Sequence, residues 1–134
     1  MKAEALISSD VLNKFSSEII SCAIEVHRNM GPGLLESIYQ QCMMMEMRSR
    51  GMRVDTLIPV KLYYKSKALE KNFVIDMMVE SEIILELKAV EDIYPVHHSQ
   101  LLSYLKLSGK RLGFIINFNV PLLKEGIKRM VHNF

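Results

Sequence analysis

The sequence predicts an α/β fold, a mixed sheet flanked by helices. Three observations carry this expectation. Apolar residues recur at helical spacing over residues 10–29 and again over 34–50. Between residues 54 and 90 the pattern changes to alternation and to short apolar runs bounded by polar turns, which marks strands. A further helical stretch at 95–108 separates those strands from a last apolar run at 112–118. A helix joining two strands of one sheet sets them parallel through a right-handed crossover.

Each element has its own reason. Ser8, Ser9 or Asp10 can cap the first helix, whose apolar positions include Leu12, Phe15, Ile19, Ala23, Ile24 and Val26. Gly31-Pro32-Gly33 then breaks the backbone. The second helix ends at Gly51, and its Met43-Met44-Met45 cluster reads as adaptable core filler. Val54, Thr56, Ile58, Val60, Leu62 and Tyr64 alternate as one long strand, in which Pro59 calls for an edge, a bulge or an unpaired position. A polar connection over 65–72 leads to two apolar runs, Phe73–Val79 and Ile83–Val90, joined by the turn Glu80-Ser81-Glu82. Gly109 stops the third helix. The segment 121–131 fits either a helix or an edge strand.

The 134 residues suit a single domain, 1–134, large enough to bury a real core. An apolar fraction of 49% and a charged fraction of 24% are ordinary for a globular protein, and a net charge of +2 neither requires nor excludes nucleic acid. Cys22 and Cys42 lie outside any metal-ligand spacing and read as buried thiols of a reducing compartment. No charged-then-apolar leader is seen, and no apolar run reaches the ~18 residues that span a bilayer. A cytoplasmic protein without membrane contact is expected.

Charge interrupts both runs of the central hairpin where a buried strand should have none. Asp76 sits inside the first, and Glu86 and Lys88 inside the second. Glu86 and Lys88 share one face of their strand, with Leu87 on the other. Such groups are costly to bury unless paired, hydrogen-bonded or bound to a metal. If the two strands pair, two carboxylates and a lysine converge, an arrangement suited to a divalent cation and a lysine acting together on a phosphate. The bland alternatives are a solvated Glu86–Lys88 pair on an edge strand and an Asp76 paired with a core lysine. The adjacent His97 and His98 face different ways on a helix and do not form a joint metal site. Lys61, Lys65, Lys67 and Lys71 surround the first strand connection, either as a nucleic-acid contact or as a solvated turn.

Asp76 followed by Glu86-Leu87-Lys88 on the next strand resembles the D…ExK signature of the PD-(D/E)xK nuclease superfamily. The element order is similar to that superfamily's restriction-endonuclease-like αβββαβ core. Gly33-Leu34-Leu35-Glu36-Ser37-Ile38-Tyr39 resembles the motif of the GxxExxY family, and Gln100-Leu101-Leu102-Ser103-Tyr104 is similar to the Q-x-x-x-Y of the RecB-like branch. Ile75 stands where the superfamily name has proline, at a position that only precedes the ligand.

The resemblance implies a metal-dependent nuclease that hydrolyses phosphodiester bonds, with DNA ahead of RNA as the nucleic-acid partner. Mg²⁺ or Mn²⁺ is the implied cofactor. Asp76, Glu86, the Leu87 backbone carbonyl and Glu36 are the implied metal ligands, Glu36 directly or through water. Lys88 would orient or deprotonate water or stabilise developing negative charge, and Gln100 and Tyr104 would donate hydrogen bonds from one helix face. A chain this short leaves sequence specificity to a homo-oligomer or a partner protein. The competing reading is a non-catalytic nucleic-acid-binding or partner-binding accessory module on the same fold.

Overall fold

In the computed structural model, which describes residues 6–134, two helices open the chain: α1 (Ser9–Met30) and α2 (Glu36–Ser49). Ser8 caps α1 by accepting a hydrogen bond from the Val11 amide. Strands β1 (Val54–Val60), β4 (Phe73–Val79), β5 (Ile83–Lys88), β6 (Leu112–Asn117) and β7 (Ile127–Val131) form a five-stranded sheet in that spatial order. The helix α3 (Pro95–Ser108) carries the chain from β5 to β6, which pair in parallel, while every other neighbouring pair is antiparallel. The sheet is mixed, as expected.

Helices cover both faces. Leu12, Ile19, Tyr39 and Met43 pack on the face that carries Met77, Leu85, Phe114 and Phe118. Leu101 and Leu105 of α3 pack on the other, against Ile75, Met78, Ile84 and Ile115. Gly113 on β6 lets α3 approach, since a Cβ there would meet Leu101 Cδ1 at 2.9 Å and the Ile84 carbonyl at 3.2 Å. A strand buried on both faces reads as a near-continuous apolar run. This is why β5 is buried from Ile83 to Leu87 and β6 throughout.

The structure departs from the sequence expectation in three places. The alternation of 54–64 is not one strand. β1 ends at Val60, and Tyr63–Tyr64 (β2) pairs with Lys67–Ala68 (β3) in a separate two-stranded sheet. Pro59 does lie on an edge strand, β1. Residues 121–131 combine both readings, a 3-10 turn (Leu123–Gly126) followed by the edge strand β7. Of the methionine cluster only Met43 is fully buried; Met45 is exposed, as is Ile24 of α1, because each points away from its helix's core stripe. Cys22 is buried and Cys42 half-buried, both free, and burial pushes the Cys22 thiol up to about 11, leaving it inert. Among the described residues no helix is long and apolar enough to cross a membrane.

Candidate active site

The site begins with the anomaly in β5. Ile83, Leu85 and Leu87 face α1 and α2, and Ile84 faces α3, so alternation turns Glu86 and Lys88 to the α3 side. Glu86 is only 5% exposed, and its buried Oε1 has no hydrogen-bond partner among the described residues. This carboxyl is pushed up to about 7, by burial first and then by the charge of Asp76 and, less, of Glu36, with Lys88 opposing. Charges from three separate elements therefore act on one carboxylate.

Asp76 is placed by an irregular rung. β1 and β4 keep one register on both sides of it, with Thr56 opposite Met77 and Ile58 opposite Ile75, but Leu57 and Asp76 between them do not pair. Leu57 has φ 53°, in the left-handed region. Across this rung both strands invert. Val54, Met77 and Val79 join the α1/α2 core, whereas Ile58, Val60, Phe73 and Ile75 pack on the α3 side. Asp76 sits half-buried at the inversion and lines a small pocket with Gln40 and Met44 of α2.

On its other side, β4 leaves β5 at the same point. The ladder ends at Met77–Leu85, one rung short of bringing Asp76 opposite Glu86. The Lys88 carbonyl accepts from Phe118 N at 3.0 Å, on the β6 side. Alternation then turns the Leu87 carbonyl toward β4, beyond the end of the ladder. The Leu87 side chain is buried in the opposite core.

Glu36 is the first residue of α2, where the helix dipole favours a carboxylate. The loop before it is fixed by Tyr39, whose hydroxyl donates to the Gly31 carbonyl at 2.6 Å and accepts from Leu34 N at 3.1 Å. Its ring stacks on Phe118 at 4.5 Å. Gly33 takes φ 95°, which a side chain would disfavour. The glycine, glutamate and tyrosine of that stretch thus act together to set where Glu36 enters its helix.

Gln100 and Tyr104 lie one turn apart on α3, and Gln100 Nε2 donates to Tyr104 Oη at 2.8 Å. Gln100 is exposed and Tyr104 half-buried, and Tyr104 stacks on Phe73 at 4.7 Å. Burial chiefly, and then the charge of Glu86, raise the phenol's pKa, while the Gln100 hydrogen bond opposes the rise. Tyr104 thus lies within the field of Glu86. His97 is occupied elsewhere: its Nδ1 accepts from Tyr94 N at 3.1 Å and closes the start of α3.

Sequence reasoning missed Asn117, 2% exposed and opposite Lys88 on β6. Its side chain accepts from Val90 N at 3.1 Å and donates to the Val90 carbonyl at 2.8 Å, clasping the chain just beyond Lys88. The available signal was a lone amide inside an apolar run, the same kind of interruption that marked Glu86. Among the described residues no three His, Cys, Asp or Glu side chains gather as a ready metal cluster. The oxygen donors at this point are the Glu86 and Asp76 carboxylates, the charge of Asp76 and that of Glu36 both acting on Glu86, and the Leu87 carbonyl follows on β5. Such hard oxygen donors, one of them an orphaned buried atom, fit a divalent cation that keeps part of its water shell.

A mixed sheet with helices on both faces, and a charged cluster where its central hairpin parts, defines an α/β protein of the restriction-endonuclease-like type. A family model for the PD-(D/E)XK nuclease superfamily matches residues 13–130, and the chain belongs to that superfamily. Comparisons with curated proteins and with solved structures find no match. Nucleases of this superfamily typically use divalent metals such as Mg²⁺ or Mn²⁺.

Proposed function

We propose that this chain is a metal-dependent nuclease of the GxxExxY type, allied to the RecB-like branch, that hydrolyses phosphodiester bonds in DNA. The observation that carries this reading is the buried Glu86 carboxylate, whose Oε1 has no hydrogen-bond partner among the described residues and which feels the charges of Asp76, Glu36 and Lys88. Asp76, Glu86 and the Leu87 carbonyl would hold Mg²⁺ or Mn²⁺, with Glu36 contributing directly or through water. A bound cation would supply a more acidic water and charge neutralisation at the phosphoryl oxygens.

The remaining work falls to the chain's own groups. Lys88, on the same face as Glu86, holds the attacking water in line or neutralises charge that develops on the phosphoryl oxygens. Gln100 and Tyr104, already joined to each other, present N–H and O–H donors to a phosphate from α3. Glu36, at the start of α2, would help orient that water. Asn117 holds the end of β5 in place and is a positioning residue.

The test is incubation with labelled single- and double-stranded DNA and RNA in Mg²⁺ or Mn²⁺, with and without chelator. Metal-dependent cleavage is expected, lost in Asp76→Ala and Glu86→Ala. Lys88→Ala should keep metal binding but lower the rate on the order of a hundredfold or more. Parent protein that binds no divalent cation by calorimetry and cuts nothing would favour an accessory module instead.

A further inference from the structure

The hairpin between β1 and β4 has no part in either core. β2 and β3 hold only Tyr63 and Tyr64 against Ala68 and Lys67, and both tyrosines lie almost two-thirds exposed, at 64% and 63%. A two-stranded sheet leaves both of its faces in solvent. Tyr63 lies opposite Ala68, too small to cover its ring. Tyr64 carries the Lys65 ammonium over its ring, at 5.4 Å from the centroid. Lys65 and Ser66 take φ 48° and 67°, the backbone of a tight primed turn, which holds the two strands close.

Charge identifies the occupant. Lys61, Lys65, Lys67 and Lys71 stand on or beside the hairpin, against the single carboxylate of Glu70. A partner must offer negative charge at close spacing and flat apolar faces to meet the tyrosines. A single nucleic-acid strand offers both, as phosphates and unstacked bases. A duplex offers the phosphates but keeps its base faces stacked.

The hairpin is also suitably rooted. It leaves the sheet at Val60 and re-enters at Phe73, which stacks on Tyr104. Asp76 lies three residues further along β4, roughly 10 Å at the rise of a strand.

We infer that the β2–β3 hairpin is a single-strand-binding platform, with Tyr63 stacking on a base on one face of the ribbon and the lysines tracking phosphates toward the site. The inference rests on the nuclease reading for the direction in which the strand runs, and on the hairpin alone for the binding. It names single-stranded nucleic acid, or a frayed end, as the preferred substrate.

The test reads binding without cleavage. Fluorescence anisotropy of a labelled ~15-nucleotide oligothymidylate is measured in chelator, beside a duplex of equal length. The single strand should bind more tightly than the duplex. Tyr63→Ala should weaken single-strand binding about tenfold, and Tyr63→Phe should retain parental affinity, since the ring face is kept. The double variant Lys65→Ala, Lys67→Ala should flatten the salt dependence by about 0.7 of a log unit per lost phosphate contact. Both tyrosines lie outside the cores, and circular dichroism verifies that each variant stays folded. Equal affinity of parent and Tyr63→Ala would overturn the inference, as would equal affinity for strand and duplex. So would a protein that ignores the oligonucleotide but self-associates through Tyr63 in sedimentation, which would assign the hairpin to a second copy of the chain. A protein that binds the strand through Tyr63 and cuts nothing in Mg²⁺ would sink the nuclease reading alone. One that cuts but does not distinguish Tyr63→Ala from parent would sink the hairpin alone.

Discussion

Glu86 concentrates the physical chemistry of this chain in one side chain. The folded protein holds its proton more tightly than the unfolded chain does, because burial, Asp76 and Glu36 all disfavour the anion. The unfolded carboxyl titrates near 4.5 and the folded one at about 7. Below the first value both states are protonated, and Glu86 takes nothing from stability. Between the two, the unfolded state releases the proton first, so stability falls as pH rises, and the loss is complete above about 7. The difference corresponds to roughly 3 kcal/mol. Glu86→Gln keeps the shape and removes the charge. In metal-free buffer it is expected to unfold at higher urea than the parent at pH 8 and at nearly the same urea at pH 4.5. A parent whose urea midpoint stays level from pH 4.5 to pH 8 would show that Glu86 is not the isolated buried acid described. This residue was legible in the sequence for the same reason that it matters: a carboxylate inside an apolar strand has no inexpensive structural explanation.

At the scale of elements, periodicity located the helices and strands because their apolar stripes face real cores. It could not locate the inversion in β1 and β4. A left-handed leucine carries no mark in the sequence, where glycine or asparagine would, and the alternation of 54–64 reads unbroken across it. Yet this rung is what lets Phe73 reach Tyr104 and leaves Asp76 where β4 parts from β5. The left-handed backbone costs leucine about 1–2 kcal/mol. Glycine avoids that strain but loses about 0.5–1 kcal/mol through its greater unfolded freedom. Because Leu57 is 70% exposed, its side chain adds little packing. Leu57→Gly is therefore expected to leave stability unchanged or raise it by up to ~1.5 kcal/mol in urea unfolding. Leu57→Pro, which fixes φ near −65°, should destabilise the protein and lower cleavage together, because the rung can no longer invert. If Leu57→Gly destabilised as much as Leu57→Pro, the side chain rather than the backbone would be holding the rung.

The proposed site draws on both layers. The sheet contributes Asp76, Glu86 and Lys88, α2 contributes Glu36 from one face, and α3 brings Gln100 and Tyr104 from the other. The order of these motifs along the chain was readable. Their spatial relation was not, since it depends on where two helices dock and where two strands separate. A cation that joins groups from several layers must stabilise the folded state alone, by an amount that grows with its concentration over its dissociation constant. It must also compete with the proton on Glu86, whose folded carboxyl titrates at about 7. Saturating Mg²⁺ is therefore expected to raise the melting temperature clearly at pH 8, where Glu86 is ionised, and much less at pH 6, where it is largely protonated. In Glu86→Gln the Mg²⁺-dependent rise should shrink at pH 8 and lose its difference between the two pH values, since no proton remains to be displaced there. Differential scanning fluorimetry of both proteins across the two pH values, with Mg²⁺ and with chelator, reads all of these at once. Equal Mg²⁺ shifts at pH 6 and pH 8 in the parent would mean that the cation binds away from Glu86, and the metal centre assigned to it would have to be abandoned whatever nucleic acid the protein cuts.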